Sequence, residues 1–227
     1  SWGSALALAY AQTAPAHVCG LIVHGVFLAR SAELEWFFGG GTAEIYPDAW
    51  AAFIAAMPEA EHGDIIAAYY RRLTGTDTAA RARAARARAA HAWARWEAQV
   101  SSLKPDPELL AKFTAPAAAD AMARIEAHFW THDAFLNTDD QLLRHVGKIR
   151  HIPGIIVQGR HDAVCPMRTA WALHQAWPEA DFRIVAEAAH TPHEAAMASA
   201  LVSATQGMAR RLRTTQAKPN RRHSSTI

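Results

Sequence analysis

Three short, almost unbroken apolar runs stand out along the chain. They are VCGLIVHGVF (18–27), IPGIIVQG (152–159) and ADFRIVAEA (180–188), the last with weaker alternation. Continuous apolarity over so few residues marks a strand covered on both faces, as in a parallel sheet. Around these runs the apolar positions recur at helical spacing. Residues 4–14 set Leu6, Leu8 and Tyr10 among alanines and stop at Pro15; MRTAWALHQAWP (167–178) and residues 193–212 read as further helices. Strand followed by helix, repeated, predicts an α/β layer with crossover connections.

The middle of the chain has a different rhythm. From about Ala32 to His145 the periodicity is helical and no strand is predicted. A helical block inserted between strands reads as a lid, and lids sit where loops gather at the carboxyl ends of strands. The expected division is a sheet domain from 1–30 and 147–212, a helical cap over 31–146, and a disordered basic tail over 213–227. Within the cap, AARARAARARAAHAWARWE is built from strong helix formers. Arg81, Arg83, Arg86 and Arg88 make no single stripe, so a solvated face is expected rather than a nucleic-acid patch.

Composition sharpens this only slightly. With 227 residues, 51% of them hydrophobic, the chain can bury a sizeable core, and 19% charged residues do not describe a disordered chain. The net charge of +2 is uneven, because six Lys/Arg and no acids lie between Arg210 and Ile227. The preceding body is therefore acidic. Two distant cysteines, Cys19 and Cys165, argue against a disulfide framework and fit a cytoplasmic setting. No apolar run is long enough for a membrane span, and no metal or organic cofactor is expected.

Three places carry candidate chemistry. Ser1-Trp2-Gly3 is the second half of a Gly-x-Ser-x-Gly nucleophile elbow, and a helix follows it directly. In that geometry the Trp2 backbone N–H is free to hold an oxyanion, and the helix N-terminus favours negative charge. An ordinary turn has the same three residues. Asp162, in GRHDAVCP (159–166), ends the second strand, where it can orient a histidine or simply cap the next helix. His190, in AEAAHTPHE (186–194), follows the third strand in a loop of small residues, suited to a general base. His193 competes with it, but lies at the start of the next helix. Pro192 separates the two histidines, so a zinc pair is not expected. Serine, then aspartate, then histidine, the last two each after a predicted strand, is the chain order of α/β-hydrolases. Cys165, three residues after Asp162, is expected either to border this site, where a thiol reagent would block it sterically, or to be a small buried hydrophobe.

At this level the sequence resembles the proline iminopeptidase (prolyl aminopeptidase) family of α/β-hydrolases, from Ser1 to about Arg210. The resemblance is carried by SWGSALALAYAQTAP, WFFGGGTAEIYPDAW, YYRRLTG, WARWE, ARIEAHFW, DQLLRHVGKIRHIPGIIVQGRHDAVCP and AWALHQAWPEA. It implies the C-terminal part of a hydrolase sheet domain with an inserted all-helical cap, and a serine aminopeptidase that releases N-terminal proline from peptides through an acyl-enzyme. It implies Ser1 as nucleophile, Asp162 as orienting acid and His190 as base. It further implies Glu97 and Glu126 as the pair binding the substrate's imino group, with Phe27, Phe37 and Trp130 around the pyrrolidine ring. Two facing carboxylates suit a cation in a low-dielectric site. Helix-surface ion pairs for the glutamates and plain core packing for the aromatics are the blander alternatives.

The chain departs from the family at Trp130, where phenylalanine is usual, and at Phe37, where tyrosine is common. The Gly-Gly that precedes the family's serine and the upstream His-Gly-Gly-Pro-Gly segment are not among the 227 residues. The expectation is a truncated and nearly inactive form of a peptidase. An esterase or amidase with the same triad, an N-terminal-serine hydrolase, and a non-catalytic remnant or split half are the alternatives.

Overall fold

The computed structural model of the chain describes residues 1–216. Helix α1 (Trp2–Thr13) leads into strand β1 (Leu21–His24). Then come α2 (Ser31–Phe38), α3 (Pro47–Ile54), α4 (Ile65–Thr74), α5 (Ala80–Val100), α6 (Pro107–Thr114), α7 (Pro116–Thr131) and α8 (Gln141–Arg144). Strand β2 (Gly154–Gly159), α9 (Met167–Ala176), β3 (Asp181–Val185) and α10 (Ala195–Gln216) complete the order. The three strands form one parallel sheet, β1-β2-β3, with Val23 opposite Ile156 and Val157 opposite Arg183.

All six residues of β2 are buried, which is why its sequence is apolar apart from Gln158. Its side chains alternate between two cores. Ile156 packs in one cluster with Leu8, Val23 and Leu173, so α1 and α9 cover that face. Ile155 and Val157 join Met197, Ala204 and Met208, so α10 covers the other. A helix–sheet–helix sandwich follows directly from a strand with two apolar faces.

The first strand is shorter than its apolar run. Residues 25–29 are buried but leave the sheet, because Gly25 takes a φ of +54°. Their backbone donors bond side chains instead of a strand. Val26 N–H reaches Gln158 Oε1 (2.9 Å), Phe27 N–H reaches Ser4 Oγ (2.9 Å) and Leu28 N–H reaches Glu33 Oε2 (2.7 Å). A second correction concerns the tail: α10 runs to Gln216, past the boundary expected at 213. No helix breaker occurs before Pro219. The remainder of the expected disordered tail, 217–227, lies outside the described residues.

Between β1 and β2 the helices build a core of their own. Phe38, Phe53, Tyr69, Trp93 and Trp96 form its centre, with Phe53 and Tyr69 stacked at 4.6 Å and the Tyr69 hydroxyl donating to Phe53 O at 2.7 Å. The alanines of α5 and α7 serve close packing. Ala90 and Ala94 on one helix, and Ala119, Ala123 and Ala127 on the other, are essentially fully buried. Small residues at four-residue spacing let two helices approach, while Arg81, Arg83 and Arg88 face outward. Among the described residues no helix is long and apolar enough to cross a membrane.

Candidate active site

Ser1, Asp162 and His190 come from the start of α1, the loop after β2 and the loop after β3. The sheet brings these carboxyl ends to one edge. Ser1 Oγ lies 2.9 Å from His190 Nε2, and His190 Nδ1 lies 2.9 Å from Asp162 Oδ2. The Asp162 side chain is fully buried and the His190 side chain 12% exposed. The Asp162 Oδ2 faces His190, and its Oδ1 accepts the Cys165 N–H at 2.7 Å within the loop, while α9 starts at Met167 without a side-chain cap, so the helix-capping alternative does not hold. Several donors thus converge on one buried carboxyl group, as a buried polar side chain requires. His193 lies in the turn before α10 and is exposed.

Three residues around this constellation were not singled out in the sequence. Gln158, fully buried in β2, donates from Nε2 to Asp162 Oδ2 (2.9 Å) and Cys165 O (2.8 Å) while its Oε1 accepts from Val26. A glutamine inside an apolar strand was the available signal, since a buried amide must find partners. His24, at the end of β1, places Nε2 2.8 Å from the backbone oxygen of His190, and the two rings lie 5.9 Å apart. Burial, the dominant cause, lowers the His24 pKa to about 4. The ring is therefore neutral near pH 7, with Nε2–H as the donor. Glu194, just before α10, accepts the Ala189 N–H at 2.7 Å and the Leu103 N–H at 2.6 Å.

Glycines make room for the histidine loop. A Cβ on Gly25 would stand 2.8 Å from His190 Cε1, and one on Gly159 would stand 2.0 Å from Ala189 O. The loop can approach the strand ends only because both positions are bare.

Ser1 and Trp2 open onto a small cavity of about 40 Å³ whose lining includes Phe27, Phe37, Trp130 and Cys165 together with Glu97 and Glu126. Glu97 is on α5 and Glu126 on α7, one from each side of the alanine seam. Trp93 Nε1 donates to Glu126 Oε2 at 2.8 Å. Burial pushes the Glu97 carboxyl well above the usual carboxylate range, and the Glu126 charge beside it adds to the effect. Burial also raises Glu126, while its hydrogen bonds from Glu97 and Trp93 hold it back. Burial thus disfavours ionisation of both carboxyls. The aromatics are both core and lining: Phe27 meets Trp130 edge-on at 5.1 Å, and Phe37 meets Trp96 at 5.5 Å. Burial pushes the Cys165 thiol far up, so it faces the cavity as a neutral thiol.

Residues 1–196 match the model of the α/β-hydrolase fold family. The chain belongs to that family. The chain is 49% identical over 205 residues to a probable proline iminopeptidase of Leptolyngbya boryana, covering 90% of this chain and 62% of that protein. It is 46% identical to a proline iminopeptidase of Xylella fastidiosa (strain Temecula1), over 90% of this chain and 64% of the relative. To a proline iminopeptidase of Arabidopsis thaliana it is 45% identical, over 92% and 54%. The chain thus spans under two thirds of the length of each of these three relatives.

Proposed function

We propose that the whole protein is a serine aminopeptidase that removes proline from the N-terminus of peptides, with residues 31–146 acting as the cap that reads the amine. Ser1 Oγ attacks the carbonyl carbon of the N-terminal proline as its proton passes to His190 Nε2. Asp162 accepts from His190 Nδ1 and balances the imidazolium. The Trp2 N–H, at the start of α1, donates to the oxyanion. The tetrahedral intermediate collapses as His190 returns the proton to the leaving amine; water then attacks the acyl-enzyme, and proline leaves.

The observation that carries this reading is that Glu97 and Glu126 share a cavity with Ser1. Two buried carboxyls beside a nucleophile cost free energy unless a cation enters. A secondary ammonium supplies the opposing charge, while Phe27, Phe37 and Trp130 pack on the ring that bears it. An esterase of the same triad has no use for the pair.

The test compares three substrates of the whole protein: proline 4-nitroanilide, its N-acetyl derivative and 4-nitrophenyl acetate. Acetylation removes the cation and is expected to lower kcat/KM by about 10²-fold or more, the scale of an unpaired buried charge. Glu126→Gln should cause a similar loss on proline 4-nitroanilide and leave the acetate ester within a few fold. Equal cleavage of the free and acetylated anilides would remove the aminopeptidase reading in favour of a general esterase or amidase.

A further inference from the structure

The loop that carries His190 is held from two sides. On the sheet side, Arg160 N–H donates to Val185 O (2.9 Å) and His161 N–H to Ala188 O (3.0 Å). On the cap side the contacts are with the end of α5. Ser101 O accepts from both His190 N–H (3.0 Å) and Thr191 N–H (2.9 Å). Ser101 is itself fixed to the helix, because its hydroxyl donates to Glu97 O at 2.7 Å. Glu194 closes the junction, with one carboxylate oxygen on Ala189 N–H and the other on Leu103 N–H. Its two oxygens therefore join the residue before His190 to the segment just after Ser101.

We propose that Glu194 is a positioning residue: its carboxylate fastens the His190 loop to the end of the cap helix that carries Glu97, and so sets the base against Ser1. The inference rests on the triad reading above. An acid just before a helix would ordinarily act on the N-terminus of that helix. Here both oxygens are engaged by N–H groups of other segments. Charge-assisted bonds of this kind are stronger than neutral ones and fix direction as well as distance. A shift of the loop by a fraction of an ångström changes the Ser1–His190 contact, to which the rate is sensitive. The same strut gives the amine-reading helix and the catalytic base a common anchor.

The experiment uses the whole protein, with Glu194→Ala and Glu194→Gln. Proline 4-nitroanilide and 4-nitrophenyl acetate are the substrates, and the low-field proton resonance of the His190–Asp162 bond is the spectroscopic readout. Glu194→Ala is expected to lower kcat about tenfold or more on both substrates, with KM within about threefold, and to shift or broaden the resonance. Glu194→Gln retains one acceptor oxygen and should fall between the two. Rates are taken per active site, by burst titration. If the alanine variant does not fold, the glutamine variant decides alone. Unchanged kcat and an unmoved resonance in the folded variant would overturn the proposal. A parent enzyme without preference for the proline substrate would instead count against the amine-site reading, and the ester comparison would still decide on Glu194.

Discussion

At the scale of single residues, the site contains two buried titrations of opposite sign. His24 is held neutral, with its pKa lowered from 6.5 to about 4, chiefly by burial. Protonating it is harder in the folded state than in the unfolded chain. Its contribution is therefore full above pH 6.5 and is lost as the pH falls towards 4. By linkage the loss is about 3 kcal/mol. His24→Gln keeps a donor near His190 O but does not titrate. Urea unfolding at about pH 7 and about pH 4 should show a gap between the two conditions smaller by about 3 kcal/mol in the variant. An equal gap in both proteins would mean that His24 is not the group responsible. Glu97 behaves oppositely: its raised pKa favours the fold at low pH and withdraws that support as the proton leaves. Neither His24 nor Glu194 was legible in the sequence, because each acts through main-chain atoms that no spacing rule names. Ser1, Asp162 and His190 were legible because an elbow, a strand end and chain order constrain them together.

At the scale of elements, the second strand was easy to find and the first was overextended. An apolar run signals burial, and residues 25–29 are buried without being strand. What ends β1 is Gly25, whose positive φ turns the chain under the His190 ring. Gly25→Ala combines an unfavourable φ with a Cβ 2.8 Å from His190 Cε1. The expected cost is about 1–3 kcal/mol. The Ser1–His190 contact should suffer as well, seen as slower labelling of Ser1 by a fluorophosphonate even where the variant remains folded. Labelling at the parent rate would show that the loop yields without consequence for the base. The helices of the cap were readable as helices from their periodicity. Their alanine-lined contacts were not, since the same alanines read equally well as exposed helix formers. Packing shows how the seam between α5 and α7 brings together Glu97 and Glu126, which the family resemblance had paired.

At the scale of the molecule, the alternation of strand and helix was legible as an α/β layer, and one change of periodicity marked the run of helices between β1 and β2. The way the two are joined was not: Ser101, Leu103 and Glu194 are ordinary residues in ordinary turns. The connection between β1 and β2 has a consequence for how the chain reaches this state. Leu21 pairs with Gly154, so the first two strands meet only after a span of more than a hundred residues is closed. The helices inside that span contact one another over short separations. Loop closure is slow to be rewarded, whereas local helical contacts form early. The carboxylate pair is thus expected to assemble before the serine and histidine meet. In pulse-labelled hydrogen exchange during refolding, amides of α4, α5 and α7 should gain protection ahead of those of β1 and β2; simultaneous protection would mean that cap and sheet condense as one cooperative unit.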